Sequence, residues 1–193
     1  MGANVTFRPA VKADALDIVE LDRIAGAGLT DYVWQSYAHE HPGLSVVEIG
    51  VLGIEREDVE YSFKNCVMAE VDGQVAGMSM AFPIKAEPVT DDTDPVMRPY
   101  MELIVDGSFF VCAIAVYEGF RGQGIGAALM ERTEERAREC DCPSLSLLVF
   151  DVNIGAKRLY ERLGYRVTDR RAIVPHPLIR PEGDVLLMVR PLD

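Results

Sequence analysis

A glycine-rich segment past the middle of the chain has the residue types of a phosphate-binding loop. It reads Arg121-Gly122-Gln123-Gly124-Ile125-Gly126 and connects an apolar segment to an amphipathic one. A helix that begins in such a loop exposes backbone N–H groups, and its dipole adds about half a positive charge. Glycines let the backbone approach a ligand without Cβ atoms in the way, and Arg121 adds a charge-assisted contact. The segment predicts an anion site, with a tight structural turn as the alternative.

The spacing of these glycines differs from the two widespread phosphate-loop patterns. No Lys-Ser or Lys-Thr follows them, as the G-x-x-x-x-G-K-[ST] loop requires. The G-x-G-x-x-G pattern of dinucleotide-binding domains fails on spacing, and it normally stands near the start of a βαβ unit. An unrelated nucleotide-binding α/β domain is therefore a weaker alternative.

Charge and composition exclude several classes of protein. The net charge of −12 argues against a nucleic-acid partner, because phosphate binding needs a basic face. No run approaches the roughly 20 apolar residues of a membrane helix, and the N-terminus lacks the apolar core of a secretory signal. The four cysteines show no paired metal spacing, and Cys140-Asp141-Cys142 alone is a weak metal signal. We expect no metal, no membrane partner and a cytoplasmic location.

The elements around the glycine loop follow from hydrophobic periodicity. The run from Ser108 to Tyr117 is apolar at successive positions, as a strand buried on both faces must be. After the loop, apolar residues recur at helical spacing from Ile125 to Cys140. The other predicted elements are a strand at 5–8, helices at 12–24 and 30–39, a hairpin of 66–71 and 74–82, a strand at 144–150, a helix at 156–163, and strands at 165–168 and 185–190. We predict one domain over residues 1–193, with 83–107 as an inserted loop and short helix before the central strand.

The stretch from Ala113 to Gly126 resembles the acetyl-CoA signature of the GNAT superfamily of N-acetyltransferases. The core pattern of that signature, [Q/R]-x-x-G-x-[G/A], is met by Arg121, Gly124 and Gly126. One departure is the sequence Tyr-Glu-Gly at 117–119, where many relatives carry a proline two residues after the valine.

A second block of the same family follows in order. It consists of the apolar run 145–149, then Asn153, then the segment AKRLYERLGY at 156–165. The close resemblance covers residues 109–168. It implies a mixed α/β fold, with a central, mostly antiparallel twisted sheet of six to seven strands, a splayed central pair of strands and about four to five helices.

The resemblance also implies acetyl-CoA as cosubstrate. The central strand would pair with the pantetheine arm, the glycine loop would hold the pyrophosphate, and Asn153 would hydrogen-bond the cofactor. A plain helix cap is the alternative role for Asn153. The implied cofactor-binding residues are Ile114, Ala115, Val116, Arg121, Gly122, Gln123, Gly124, Ile125, Gly126, Ala127, Asn153 and Tyr160.

Tyr160 matches the position of the family's proton donor to the departing CoA sulfur. A thiol has a pKa of about 8.5 and tyrosine one of about 10, so transfer to a free thiolate is slightly uphill. Protonation during bond breaking, or orientation of the cofactor, is the more defensible role. The alternative is a core aromatic that faces the sheet.

The acceptor implied by the resemblance is an amine on a small molecule, a peptide or a protein N-terminus, which attacks the thioester directly. Many relatives place a catalytic glutamate on the strand before the asparagine, but that strand here reads LSLLVF. Glu102 and Glu118 are the remaining nearby acids, and each has a solvated surface role as its alternative. An acyl-CoA-binding regulatory module without turnover therefore stays open.

Three histidines accompany the region that shapes the acceptor site in this family. They are His39, His41 and His176. A histidine in a loop is more often structural or exposed, so none is assigned a catalytic role. A homodimer is a further possibility, because dimers are frequent among members of the family.

Overall fold

The computed structural model describes residues 4–192. Seven strands form one sheet in the order β1-β2-β3-β4-β5-β7-β6. The strands are β1 (Val5–Pro9), β2 (Cys66–Val71), β3 (Gln74–Pro83), β4 (Phe109–Val116), β5 (Ser144–Phe150), β6 (Arg166–Ala172) and β7 (Asp184–Pro191). The helices are α1 (Ala15–Gly26), α2 (Leu29–Ser36), α3 (Val46–Ile54), α4 (Arg98–Met101), α5 (Ile125–Glu139) and α6 (Ile154–Arg162).

The strand pairings confirm the predicted fold class. The pairs β1–β2, β2–β3, β5–β7 and β6–β7 are antiparallel. The central pair β4–β5 is parallel, with register from Phe109 opposite Leu145 to Val111 opposite Leu147. In the described residues α4 is a single turn, and the other five helices have eight or more residues. The mostly antiparallel sheet with about five helices is the architecture that the sequence predicts.

The chain divides into two compact units. The first comprises Met1–Ala81 and Ala113–Arg132, and the second comprises Phe82–Cys112 and Thr133–Asp193. Strand β4 and helix α5 each contribute residues to both. A single domain over the whole chain stays a prediction.

In the first unit, the hairpin and the first helix form where the sequence predicts them. Asp72 and Gly73 have φ angles of 49° and 82°, which is the left-handed conformation that a tight two-residue hairpin turn requires. Arg8 on β1 forms ion pairs with Asp14, just before α1, and with Glu70 on β2, each at 2.7 Å. These ion pairs join the start of α1 to the hairpin.

Two helices of the first unit differ from the prediction. Helix α2 ends at Ser36 rather than near residue 39, and turns follow it. Helix α3 was not predicted, although its start carries a capping box. Ser45 Oγ accepts from the Glu48 N–H at 3.3 Å, and the Ser45 N–H donates to the Glu48 carboxylate at 2.8 Å. The sequence Ser-Val-Val-Glu was the signal that could have located it.

In the second unit, the inserted segment is a loop with one helical turn, as predicted. The Ala86 N–H donates to Asp106 Oδ1 at 2.9 Å, which closes the segment near its two ends. Beneath the start of β4, the hydroxyl groups of Ser108 and Ser146 are hydrogen-bonded at 2.6 Å. Strand β6 is longer than predicted because its residues pair with β7 as far as Ala172.

Candidate active-site elements

The last part of β4, which the resemblance assigns to the pantetheine arm, lies in the first unit. Ala115 is buried, whereas Ile114 and Val116 are partly exposed and pack against an apolar cluster that includes Ile125. A Cβ atom at Gly77 of β3 would lie 2.6 Å from the Ala115 carbonyl oxygen. Glycine at position 77 therefore permits the close approach of the two backbones, and the prediction for 114–116 stays untested.

The glycine loop reaches α5 through two left-handed residues. Gly122 has φ of +76° and Gly124 has φ of +81°, a region that L-residues other than glycine seldom occupy. A Cβ atom built at either position meets no other atom within 4 Å. The glycines are thus required by backbone conformation, and the space above them is open.

The first turn of α5 presents its N–H groups as the anion-site prediction requires. Ala128 N–H donates to the Gly124 carbonyl at 3.1 Å and makes the first hydrogen bond of the helix. The N–H groups of residues 125–127 precede that bond, so they have no acceptor within the helix. Together with the positive end of the helix dipole, they can bind a phosphate oxygen.

Arg121 lies beside this turn and is anchored to the strand. Its Nε donates to the carbonyl oxygen of Val116 at 3.0 Å, and the side chain is exposed. The contact holds the guanidinium at the end of β4, and its two Nη groups can add charge-assisted hydrogen bonds to an anion. Gln123 is also exposed.

Asn153 is the N-cap of α6 in the second unit. Its Oδ1 accepts from the Ala156 N–H at 3.2 Å, which is the capping role that the sequence left open. The side chain is exposed, and its Nδ2 group can still donate to a ligand. Helix α6 ends before Gly164, whose φ of +91° supplies the predicted left-handed cap.

Tyr160 is buried on α6, with 7% of its surface exposed. Its ring packs against that of Tyr165 with centroids 5.9 Å apart. Burial raises the pKa of Tyr160 to about 12, so the phenol carries its proton at neutral pH. Against a thiol pKa of about 8.5, complete transfer to a free thiolate would cost about 5 kcal/mol. A donor role for Tyr160 therefore requires proton transfer while the C–S bond breaks.

The acids and histidines named from the sequence are either held by a neighbouring group or at least partly exposed. Glu102 Oε2 accepts from Arg171 Nε at 2.8 Å, so this carboxylate is engaged in an ion pair. Glu118 is exposed in a 3-10 turn.

Among the histidines, His39 Nδ1 donates to the Ser36 carbonyl at 2.8 Å, and His176 Nδ1 accepts from the Leu178 N–H at 3.3 Å. His41 is partly exposed. Glu102, His39 and His176 are therefore each engaged by a neighbouring group.

A carboxylate that the sequence interpretation missed follows β5 directly. Asp151 Oδ1 is shielded from solvent and has no hydrogen-bond partner. Only two other buried side-chain oxygens in residues 4–192 share this property, the hydroxyls of Tyr100 and Tyr165. An acid directly after a buried strand, and two residues before Asn153, was the signal available in the sequence.

The comparisons with known proteins identify the family. The model of the acetyltransferase (GNAT) family matches residues 27–165, and this chain belongs to that family. The N-acetyltransferase YdgE of Bacillus subtilis (strain 168), itself uncharacterized, is 39% identical over 62 residues, which cover 32% of this chain and 40% of that protein. The chain thus matches less than half the length of this relative.

Solved structures share the fold. The acetyltransferase yncA of Salmonella typhimurium, determined with its cofactor acetyl-CoA, has a TM-score of 0.61 at 19% identity and covers 98% of this chain and 95% of its own. The ribosomal-protein-S18-alanine N-acetyltransferase of Escherichia coli has a TM-score of 0.61 at 16% identity and covers 97% of this chain and 94% of its own. Identities this low establish the fold alone.

No helix within residues 4–192 is long and apolar enough to cross a membrane. Over the same residues, no group of three or more His, Cys, Asp or Glu side chains could hold a metal ion.

Proposed function

We propose that this chain is an acetyl-CoA-dependent N-acetyltransferase whose acceptor amine attacks the thioester directly. The observation that carries the proposal is the start of α5. There, two left-handed glycines lead into three N–H groups without helical partners, in a chain that belongs to the acetyltransferase family. Such a turn can hold the pyrophosphate of a CoA molecule.

The remaining residues are given roles consistent with that cofactor. The backbone of 114–116 would pair with the amide groups of the pantetheine arm. Arg121 and residues 122–127 would bind the pyrophosphate, and Asn153 Nδ2 would donate to the cofactor.

In the reaction, a C–N bond forms as the C–S bond breaks. A backbone N–H near Val116 stabilises the oxyanion, and Tyr160 protonates the sulfur.

The acceptor is an amine on a small molecule, a peptide or a protein N-terminus. The Escherichia coli neighbour is an alanine N-acetyltransferase of a ribosomal protein, which keeps proteins among the acceptor classes. The acidic surface of this chain favours a cationic acceptor. Four free thiols suit a reducing cytoplasm as the place of action.

A second candidate function is an acyl-CoA-binding module without turnover. Two observations favour it: β5 carries no carboxylate, and Glu102 is held in an ion pair by Arg171. This module would bind acetyl-CoA but release no thiol with any amine.

Isothermal titration with acetyl-CoA tests the cofactor assignment. Gly124→Glu puts a carboxylate where the pyrophosphate would lie and forces a side chain into a left-handed backbone, so we expect affinity to fall at least about 100-fold. Gly119→Glu is the matched control, because Gly119 is exposed, has space for a side chain and does not have a positive φ. Unaltered affinity in Gly124→Glu would refute the loop assignment, and no binding by the unmodified protein would refute both functions.

A thiol-release assay over a panel of primary amines separates the two functions. Release of CoA with any amine, and formation of the acetylated product, would establish the transferase. Cofactor binding without release over the whole panel would support the binding module.

A further inference from the structure

We propose that the Asp151 carboxylate binds the amino group of the acceptor and takes the proton that its nitrogen releases. The inference rests on the proposed transferase function and supplies the base that β5 and the ion-paired Glu102 do not provide. It assigns a role to a residue that neither the family resemblance nor the sequence pattern singled out.

The backbone holds Asp151 firmly at the end of β5. Its N–H donates to the carbonyl oxygen of Asp184 at 2.9 Å, which extends the pairing of β5 with β7 by one residue. The residue is partly exposed, yet its Oδ1 is fully shielded and has no partner. The backbone of Asp151 is therefore fixed at the end of the strand, and one oxygen of its carboxylate is desolvated.

Gly183 leaves room for this carboxylate. A Cβ atom at Gly183 would lie 2.8 Å from Asp151 Oδ1 and 3.0 Å from Oδ2. Gly183 also has φ of +95°, so both the backbone and the neighbouring oxygens exclude a side chain there. Nearby Arg170 pairs instead with Asp184, at 3.6 Å. Within residues 4–192, Asp151 has neither an ion pair nor a hydrogen bond to its side chain.

An oxygen in this state needs a donor. Leaving a buried polar atom unsatisfied costs about 1–3 kcal/mol, and more for a charged group. Native proteins keep few such atoms, and those they keep call for an explanation. An amino group provides two N–H donors, and an ammonium provides three with a positive charge, so either satisfies the carboxylate. A single bound water is the competing explanation.

Tyr100 provides a second unsatisfied oxygen at the same end of β5. Its side chain is 5% exposed, and its hydroxyl has no partner. Its ring lies edge-on to that of Phe150, with centroids 6.4 Å apart, and Phe150 directly precedes Asp151. The inserted segment thereby places a phenol next to the strand end that carries the carboxylate. We assign Tyr100 a positioning role for the acceptor.

The step balances without another reactant. The amine nitrogen attacks the thioester carbon, the C–N bond forms and the C–S bond breaks. One proton passes from the nitrogen to the Asp151 carboxylate, and one passes from Tyr160 to the sulfur. Water then removes the proton from Asp151 and restores that of Tyr160, which leaves an amide and free CoA. The acceptor nitrogen must carry an N–H that first donates to Asp151 and is then lost, which a primary amine provides.

Asp151→Asn tests the inference, because asparagine has nearly the same shape and cannot take the proton. We expect acetyl-CoA affinity within about twofold of the unmodified protein. For the most reactive amine of the panel, kcat/KM should fall about 10²–10⁴-fold, the range of general base catalysis. Tyr100→Phe should raise KM by about three- to tenfold with little effect on kcat.

Asp169→Asn is the matched control, because Asp169 is an exposed carboxylate of β6 that pairs with Arg171. It should leave both cofactor affinity and kcat/KM unchanged. Retention of kcat/KM by Asp151→Asn, with or without a lower melting temperature, would overturn the inference and point to a structural water. Equal losses of cofactor binding and activity would also overturn it, because they would show that Asp151 acts only through the fold.

Direct binding of an amine separates this inference from the proposed function. The ¹³C carboxyl resonance of Asp151, assigned by its absence from Asp151→Asn, is followed while butylamine is added, with butanol as the control. A saturable shift with the amine alone supports the inference even if acetyl-CoA does not bind. No shift with butylamine overturns it, whatever the outcome of the cofactor titration.

Discussion

Asp22 in the first unit and Asp151 in the second each have a shielded carboxylate oxygen, but only the Asp22 side chain has a partner. Asp22 on α1 is 4% exposed and accepts a hydrogen bond from the Tyr61 hydroxyl. Asp151 has a buried oxygen that meets no donor, and the unpartnered hydroxyls of Tyr100 and Tyr165 lie in the same unit. Within residues 4–192, all the unsatisfied buried side-chain oxygens thus belong to the second unit.

Whether the buried side-chain oxygens of a unit have partners depends on which groups of that unit, backbone or side chain, take part in the proposed function. In the first unit the proposed anion site consists of backbone N–H groups at the start of α5. Water can bind these N–H groups until a ligand takes its place. Its buried side chains therefore serve the fold alone and can be fully paired. In the second unit the proposed chemistry uses side-chain oxygens, which must be free when the substrate arrives. The unsatisfied oxygens of Asp151 and Tyr100 are the expected consequence, whereas Tyr165 has no role in the proposed chemistry.

The largest effect should come from Tyr160→Phe, which removes the proposed proton donor and keeps the ring. We expect single-turnover acetyl transfer to slow by about 10²–10⁴-fold while acetyl-CoA affinity stays unchanged. Tyr165→Phe is the control, because its ring packs on that of Tyr160 and the substitution also removes a buried hydroxyl. Unchanged single-turnover transfer in Tyr160→Phe would disprove the donor role.

Asp22→Asn should produce the next largest effect, on stability rather than activity. Burial is the main cause that raises the pKa of Asp22 to about 6 in the folded protein. Because the folded state binds this proton more tightly than the unfolded state, the contribution of Asp22 to stability is full below about pH 4 and is lost as pH rises from about 4 through 6. The loss amounts to about 3 kcal/mol.

Denaturant unfolding at several pH values measures this effect. The stability of Asp22→Asn should lack that fall between pH 4 and pH 7, because the amide does not ionise and can still accept from Tyr61. Asp58→Asn, a change at an exposed carboxylate that pairs with Arg56, should keep the pH dependence of the unmodified protein. Parallel stability curves for Asp22→Asn and the unmodified protein would show that Asp22 is not the titrating group.

The smallest effect should be a gain in stability from Tyr165→Phe. The Tyr165 hydroxyl is buried without a partner, and burial raises the pKa of the phenol. Removing an unsatisfied hydroxyl while keeping the ring should stabilise the fold by about 1 kcal/mol. Chemical denaturation would detect this as a higher midpoint with an unchanged slope. A loss of stability would mean that the hydroxyl has a partner such as a bound water.

The elements most clearly readable from the sequence were those with a strong local signal. The Asp72-Gly73 turn and the apolar run of β5 located their elements because turn chemistry and burial on both faces act over a few residues. Helix α3 was missed because apolar residues occupy most of its surface and leave no amphipathic pattern, although the sequence of its Ser45 capping box was recognisable. The end of β6 was placed too early, since its pairing with β7 extends over exposed residues that have no apolar pattern.

The sequence by itself determined the family, the order of elements and the glycine loop, because each depends on residue types at fixed local spacing. Only the tertiary structure decided the state of individual side chains. It showed Glu102 held by Arg171, Asn153 serving as a helix cap, and an Asp151 oxygen buried without a donor. The burial and pairing of a side chain depend on contacts between segments that are far apart in the sequence, such as those of Asp151 and Gly183. The local spacing of residue types does not show which distant segments come into contact.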